Sequence, residues 1–272
     1  MAECSTDARL SNRAGKLMRA RSSANPFLTS TGRPLLVRCA VLFVDLLGVR
    51  EMNMSQRAAG HLVALHDAVG VMHRDFFGEA SRYRSAFFSD TLVLAAPIVR
   101  ETDDATEVRA LVRHARWLQN ALLAERFFVR GGLSLGSLHV SDHLLFGPAL
   151  VEAYDLESGA AVHPRIVLSR AAAESQRGTV GASMLLCDDD GQTFVDYLGV
   201  VVEDPADPIP ALQRHRNTVI DCLHGSRRHK RRWEKFRWLG EYHNAVVQTR
   251  LPKARELLID QPAMTWQFSP FE

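Results

Sequence analysis

The apolar pattern begins abruptly after a long polar stretch. From Arg38 the chain reads RCAVLFVDLLGV, and Val41, Leu42, Phe43 and Val44 form an unbroken apolar run. Such a run predicts a central strand covered on both faces. Ala58, Leu62, Leu65, Val69, Met72 and Phe76 then recur every three or four residues, which predicts a helix with one apolar stripe. Ser55 suits its N-cap and Gly78 its stop. Two β-like runs follow, RYRSAFF and TLVLAAP, joined at Ser89 and Asp90 as a tight hairpin. A second stripe, Val108, Leu111, Ala115, Leu118 and Leu122, predicts another helix, capped by Asp103 or Asp104. RFFVRGGLSLGSLHV then returns to a glycine-interrupted strand.

The order strand, helix, strand, strand, helix, strand predicts an α/β (α+β) fold of the split βαβ, or ferredoxin-like, kind. Beyond it, GPALVEAYDLES predicts a helix, PRIVLS a strand, and QTFVDYLGVVVE a further strand that closes the sheet. After DPADPIP the chain turns helical and basic. Three segments result: a flexible basic stretch over 1–34, a main domain over 35–205 and a C-terminal helical extension over 206–272.

Composition narrows the class without naming a function. With 46% hydrophobic and 24% charged residues, the 272-residue chain has the make-up of a globular protein. A formal charge of +2 gives no global field towards nucleic acid. The four cysteines, Cys4, Cys39, Cys187 and Cys222, form no CxxC pair, which argues against a zinc ribbon and for a reducing compartment. No apolar run is long enough to span a membrane, and no signal core follows the N-terminal basic residues. These features predict a cytoplasmic protein.

The candidate chemistry lies at Asp45 and Asp90. Asp45 ends the first apolar strand, and Asp90 sits at the tip of the hairpin that becomes that strand's neighbour. Two carboxylates at one sheet edge repel unless hard cations lie between them. Magnesium or manganese fits, because such ions take one or two carboxylates and complete their shell with water and phosphate oxygens. Two ions would suit an in-line displacement at phosphorus. Leu46, Leu47, Gly48 and Val49 lead towards a helix, and their amides are candidates to cradle phosphate oxygens. The alternative is structural, with Asp45 as a helix cap and Asp90 as a turn former.

Taken together, FVDLLGV, FSDTLVL, VRGGLSLG and FGPALVEAYDLESGAAVHPRIVLS resemble the class III nucleotide cyclases over roughly residues 35–202. The resemblance implies a cyclase domain in which Asp45 and Asp90 hold two Mg2+ or Mn2+ ions. It also implies attack of a ribose 3′-oxygen on the α-phosphate, and a homodimer whose facing chains share each site. Where purine cyclases carry an Asn and an Arg in the active-site helix, this chain has Val151 and Asp155. The adenine-reading Lys and Asp fall near Ala86 and Leu144.

The same motifs more closely resemble the bacterial Pycsar cyclases of antiphage defence. That implies UTP or CTP as substrate, cyclic UMP or cyclic CMP as product, and a separate effector protein that senses it. On this resemblance Tyr154 contacts base or ribose and Arg130 contacts phosphate, both acting on a nucleotide held by the other chain. Their plainer roles are a half-buried helix aromatic and a strand-end Arg paired with a carboxylate. Arg50, Arg84 and Arg165 are weaker phosphate candidates, and Trp233, Trp238, Tyr242, His243 and Asn244 are compatible with the same group. An adenylate or guanylate cyclase, or an inactive nucleotide-binding homologue, is the alternative.

Three other signals are weaker. Gly132-Leu133-Ser134-Leu135-Gly136 matches the GxSxG of a nucleophile elbow, but no helical stripe follows it. His139, Asp142 and His143 have no further metal partner near them in the sequence and read as a polar loop. The basic run Arg227, Arg228, Lys230, Arg231, Arg232 reads as a solvated helix face rather than a nucleic-acid surface.

Overall fold

A computed structural model of the chain describes residues 25–49, 54, 58–76, 83–99, 102–204, 206–260 and 267–272. Ser55, Gly78 and Arg50 lie outside the described residues. The expected split βαβ order is present. Strand β1 (Val37–Leu47) is followed by α1 (Ala58–Phe76), the hairpin β2 (Arg84–Phe88) and β3 (Thr91–Pro97), α2 (Asp104–Ala124) and β4 (Phe128–Val140). These strands lie in the order β2-β3-β1-β4, all antiparallel, which is the ferredoxin-like arrangement. A short β5 (Leu145–Phe146) hangs on the end of β4, and α3 (Pro148–Asp155) continues through a wide π turn over Leu156–Ala160.

The sheet does not end at β4. Strand β6 (Ile166–Leu168) adds parallel to β4. Beyond helix α4 (Arg170–Gln176), the hairpin β7 (Leu185–Asp188) and β8 (Thr193–Val195) extends the same sheet. A final strand from the C-terminus, β9 (Phe268–Pro270), pairs with β7. The strand expected over QTFVDYLGVVVE is confined to β8, because Gly199–Glu203 coils into a short helix, α5. Its carbonyl-to-amide bonds run back to Leu198 instead of to a neighbouring strand. Helices α6 (Ile209–Ser226) and α7 (Lys230–Arg250) form the C-terminal part.

Alternation along β1 divides the core. Ala40, Leu42, Val44 and Leu46 face α1 and α2, and meet Val108, Leu111, Ala115, Leu118 and Leu122 of the α2 stripe. Asp103 caps that helix, accepting a 2.7 Å bond from the Thr106 amide. In α1, Leu65 and Val69 pack on this core, whereas Leu62 points to solvent, so the apolar stripe is narrower than its spacing implies. Cys39 and Val41 face the other side, where α3 rests. Asn25–Pro34, expected to belong to the flexible segment, is instead tied down by fully buried Phe27 and a Leu28–Pro34 bridge.

The C-terminal helices share a core with the sheet. Trp238, Tyr242 and Phe194 pack together, and Trp238 Nε1 donates to Asp188 Oδ2 at 2.7 Å. Arg165, fully buried, pairs with Asp188 and Asp190 and lies over the Trp238 and Phe194 rings. Asp196 accepts from the Tyr242 hydroxyl at 2.6 Å and pairs with Arg250. Such buried charges are tolerated only because each meets several partners. Arg165 is therefore a structural residue and not a phosphate contact. Tyr242, His243 and Asn244 are likewise buried, the last pairing with both backbone groups of Ile259 at 2.8 Å. Ser134 is buried within β4 and donates to the Ala149 carbonyl, so no nucleophile elbow exists. His139 holds the Leu35 carbonyl at 3.0 Å.

Two consequences can be measured. A Cβ at Gly132 would strike the Ala153 carbonyl and come within 2.7 Å of Leu156 Cβ, so α3 depends on that glycine to approach the sheet. Gly132→Ala is expected to cost about 1–3 kcal/mol, or roughly 3–10 °C in Tm, measured by calorimetry. The second concerns acid. Burial pushes the His114 and His243 imidazoles down to about 4 and that of His215 well below its ordinary range. The unfolded imidazoles bind protons near 6.5, so this stabilisation is complete above that pH and is lost as pH falls from there towards 4. Burial lowers the His163 imidazole to about 4 as well; it moves the Asp188, Asp45, Glu152 and Glu157 carboxyls upward, which acts in the opposite sense, but the four imidazoles outweigh them. Tm should fall by about 5–10 °C between pH 7 and pH 5; a flat profile would contradict this.

Candidate active site

β1 places Asp45 on the sheet face opposite α1 and α2. The register sets Asp45 beside Thr91 of β3 on one side and Arg130 of β4 on the other. The hairpin then delivers Asp90. Its turn contains only Ser89 and Asp90, with Ser89 in the left-handed region at φ 58°. The Asp90 carbonyl accepts from the Leu46 amide at 2.9 Å, which locks the turn against the end of β1. Both carboxylates thus emerge at one edge of the sheet, as the order of elements implies.

The electrostatics are those of crowded acids. Burial raises the Asp45 carboxyl above its ordinary range; Arg130 pulls it down and neighbouring Asp90 pushes it up. Arg130 Nε lies 3.4 Å from Asp45 Oδ2 and 2.5 Å from Glu157 Oε1. Glu157 comes from the π turn after α3 and is buried; burial raises its carboxyl too, with Arg130 opposing. Lys235 of α7 reaches the same cluster, where burial lowers its ammonium and Asp45 and Glu157 raise it. Three carboxylates therefore face two cations, leaving the edge with an excess of negative charge.

This donor set suits hard divalent ions. Asp45 and Asp90 would supply oxygen ligands, and among the described residues no group of three or more His, Cys, Asp or Glu is placed to hold a metal ion. A magnesium or manganese ion there would take the rest of its shell from water and a phosphate-bearing ligand. Gly48, exposed and at φ 84°, is the first residue past β1 and permits close backbone approach. Leu46 does not serve as expected. Its side chain is in the core and its amide is committed to Asp90, so neither is available to a phosphate. Leu47 is still paired in the strand with Phe128.

Arg130 belongs with the Asp45 of its own chain, since direct cross-strand partners share a face. Its pairing with carboxylates of its own chain, the plainer of the two expected roles, is what the structure shows. Tyr154 stands half exposed on the Asp45 face, edge-on to Phe43 at 5.6 Å between ring centres. Val151 and Asp155 are exposed on the same helix, and Leu144 is exposed before β5. Arg84 is at the far end of β2 from Asp90, with a guanidinium bond to the Tyr83 carbonyl.

Glu157 and Lys235 were missed by reading the sequence. Glu157 falls within the AYDLES motif, but a π turn is needed to aim it inward. Arg231, Arg232 and Lys235, part of or next to the run read as a solvated face, line a cavity of about 570 Å³ together with Leu47 and Gly48.

No family model and no curated relative matches the chain. Solved structures share its arrangement at low identity. The adenylyl cyclase CyaB from P. aeruginosa is 16% identical, over 59% of this chain and 94% of that one, with a TM-score of 0.43. The guanylate cyclase domain of RhGC from Catenaria anguillulae, solved with GTP, is 12% identical over 58% and 93%, with a TM-score of 0.44. A bacterial light-regulated adenylyl cyclase is 15% identical over 68% and 100%, with a TM-score of 0.46. At this distance, the chemistry has to rest on the side chains above.

Proposed function

We propose that the chain is a metal-dependent nucleotide cyclase acting on a pyrimidine nucleoside triphosphate. The observation that carries the reading is the placement of Asp45 and Asp90 at one sheet edge, joined through the Leu46 amide and the Asp90 carbonyl. Two magnesium or manganese ions bound there would lower the cost of an attacking alkoxide and neutralise the triphosphate. Asp45 and Asp90 hold the ions, and Gly48 lets the phosphates approach the backbone. Arg130, held by Glu157, balances the charge on Asp45 and keeps that carboxylate in place. The 3′-oxygen bonds to the α-phosphorus, the bond from that phosphorus to the β-phosphate bridging oxygen breaks, and pyrophosphate leaves. The 3′-hydroxyl proton passes to solvent.

The base preference rests on what the positions lack. Val151 and Asp155 offer no amide or guanidinium, and Ala86 and Leu144 offer neither a lysine nor a carboxylate for adenine. UTP or CTP is the substrate on this reading, and cyclic UMP or cyclic CMP is the signal of an antiphage response sensed by a separate effector. The Asp45 face also suits a homodimer. Phe88 is 83% exposed, Val151 58% and Tyr154 50%, an apolar surface that a second copy would cover while bringing its Tyr154 towards the nucleotide. Among the described residues no helix is long and apolar enough to cross a membrane.

Two experiments test this. Incubation with each of the four labelled nucleoside triphosphates and Mn2+ should yield a cyclic pyrimidine product faster than cyclic AMP or cyclic GMP. Faster purine turnover would discard the pyrimidine reading, and nucleotide binding with no cyclic product would favour an inactive homologue. Asp45→Asn and Asp90→Asn should each lower kcat by at least about a thousandfold. Both should keep or slightly raise Tm in metal-free buffer, since each relieves like-charge crowding. A variant retaining near-normal turnover would remove that residue from the mechanism.

A further inference from the structure

We propose that the cavity between the end of β1 and the C-terminal helices binds the terminal phosphates of the nucleotide, which makes α7 part of the active site. The assignment rests on the triphosphate reading above. The cavity holds about 570 Å³ and is built from elements far apart in sequence. One wall is Leu47 and Gly48, immediately after Asp45. The opposite wall is the first turns of α7, with Arg231, Arg232 and Lys235, and Arg126 from the turn between α2 and β4 completes the rim.

Three features argue for a polyanion. The first is charge: four cationic side chains converge on one cavity. Arg126 shares its charge with Asp221 at 2.9 Å, and Arg231 and Arg232 present exposed side chains at the mouth. The second is the wall material. Phe128 and Phe236, in edge-to-face contact at 5.0 Å, line the interior with Leu47 and Pro164. Low-dielectric walls behind charged tips focus a positive field into the cavity. The third is continuity. Lys235 lines the cavity and also interacts with Asp45, Glu157 and Arg130, so it spans the step from the carboxylate edge to the basic rim. An α-phosphate placed at Asp45 and Asp90 would lead its β- and γ-phosphates past Gly48 into this rim. After cyclisation the same groups would hold the departing pyrophosphate.

The test uses the full-length protein and inorganic tripolyphosphate with Mn2+, a probe that has no base, no ribose and no reaction to undergo. Calorimetric titration should show binding to the wild type. Arg231→Ala/Arg232→Ala should weaken that binding at least about tenfold, since charge-assisted contacts are lost. The same variant should raise KM for the nucleotide about tenfold. Arg231→Lys/Arg232→Lys should recover part of the loss, which packing alone would not. Both arginines are exposed, and an unchanged circular dichroism spectrum and Tm would confirm that the variant folds. Equal tripolyphosphate affinity in wild type and variant, or none in the wild type, would overturn the assignment. If binding is lost in the variant but the wild type forms no cyclic product, cyclisation fails and the phosphate cavity stands. If product forms with an unchanged KM in the variant, cyclisation stands and the cavity assignment fails.

Discussion

The carboxylate edge depends on the pairing register of β1. Side chains alternate along a strand, so a slip of one residue would exchange its two faces. Asp45 would then point among Val108, Leu111 and the rest of the α2 packing, and Val44 would face the open side. Register is specified strongly here because both faces of β1 are committed. Ala40, Leu42, Val44 and Leu46 are buried against helices on one side, and Cys39 and Val41 against α3 on the other. The apolar run that marks β1 in the sequence is therefore also what aims its final carboxylate.

Concentrating acids at that edge costs stability, and the chain offsets the cost with partners drawn from distant segments. Arg130 arrives from β4, Glu157 from the π turn after α3, and Lys235 from α7. Gly131 and Gly132 allow this assembly, since side chains there would meet the Phe43 backbone and the end of α3. Close approach of α3 brings Glu157 down to Arg130, and Arg130 then stands between two carboxylates. An edge held by such mutual compensation keeps its side chains positioned, which is the preorganisation that electrostatic catalysis would require.

Much of this was legible in the chain. The four-strand order, the Ser89-Asp90 turn and the stripe of α2 each carry a local signal: an apolar run, a two-residue joint, a repeat of three and four. The rest depends on tertiary placement. Nothing periodic marks β7 or β9, because strands of three or four residues are too short to show alternation. Gly199–Glu203 has the valines of a strand, yet it is helical because Asp196 accepts the Gly199 amide and turns the chain. Arg165 reads as a phosphate candidate until Asp188, Asp190 and Trp238 close around it. Leu46 looked available for phosphate because its amide bond to Asp90 is a property of the folded hairpin.

The basic run of α7 shows why charge patterning alone misleads. Arg231 and Arg232 are exposed, as a solvated face predicts, but exposure into bulk water and exposure into a cavity look identical in one dimension. What distinguishes them is the anchoring of α7 farther along. Trp238 is bound to Asp188, and Tyr242 to Asp196, so the helix is fixed to the extended half of the sheet. Its first turns consequently reach back over the end of β1, although its own sequence gives no sign of it. The extra strands β6 to β9 are then more than an enlargement of the ferredoxin-like core. They form the platform on which a basic helix is held beside an acidic edge, and the two opposite fields face each other across a space large enough for a ligand that carries charge along its length.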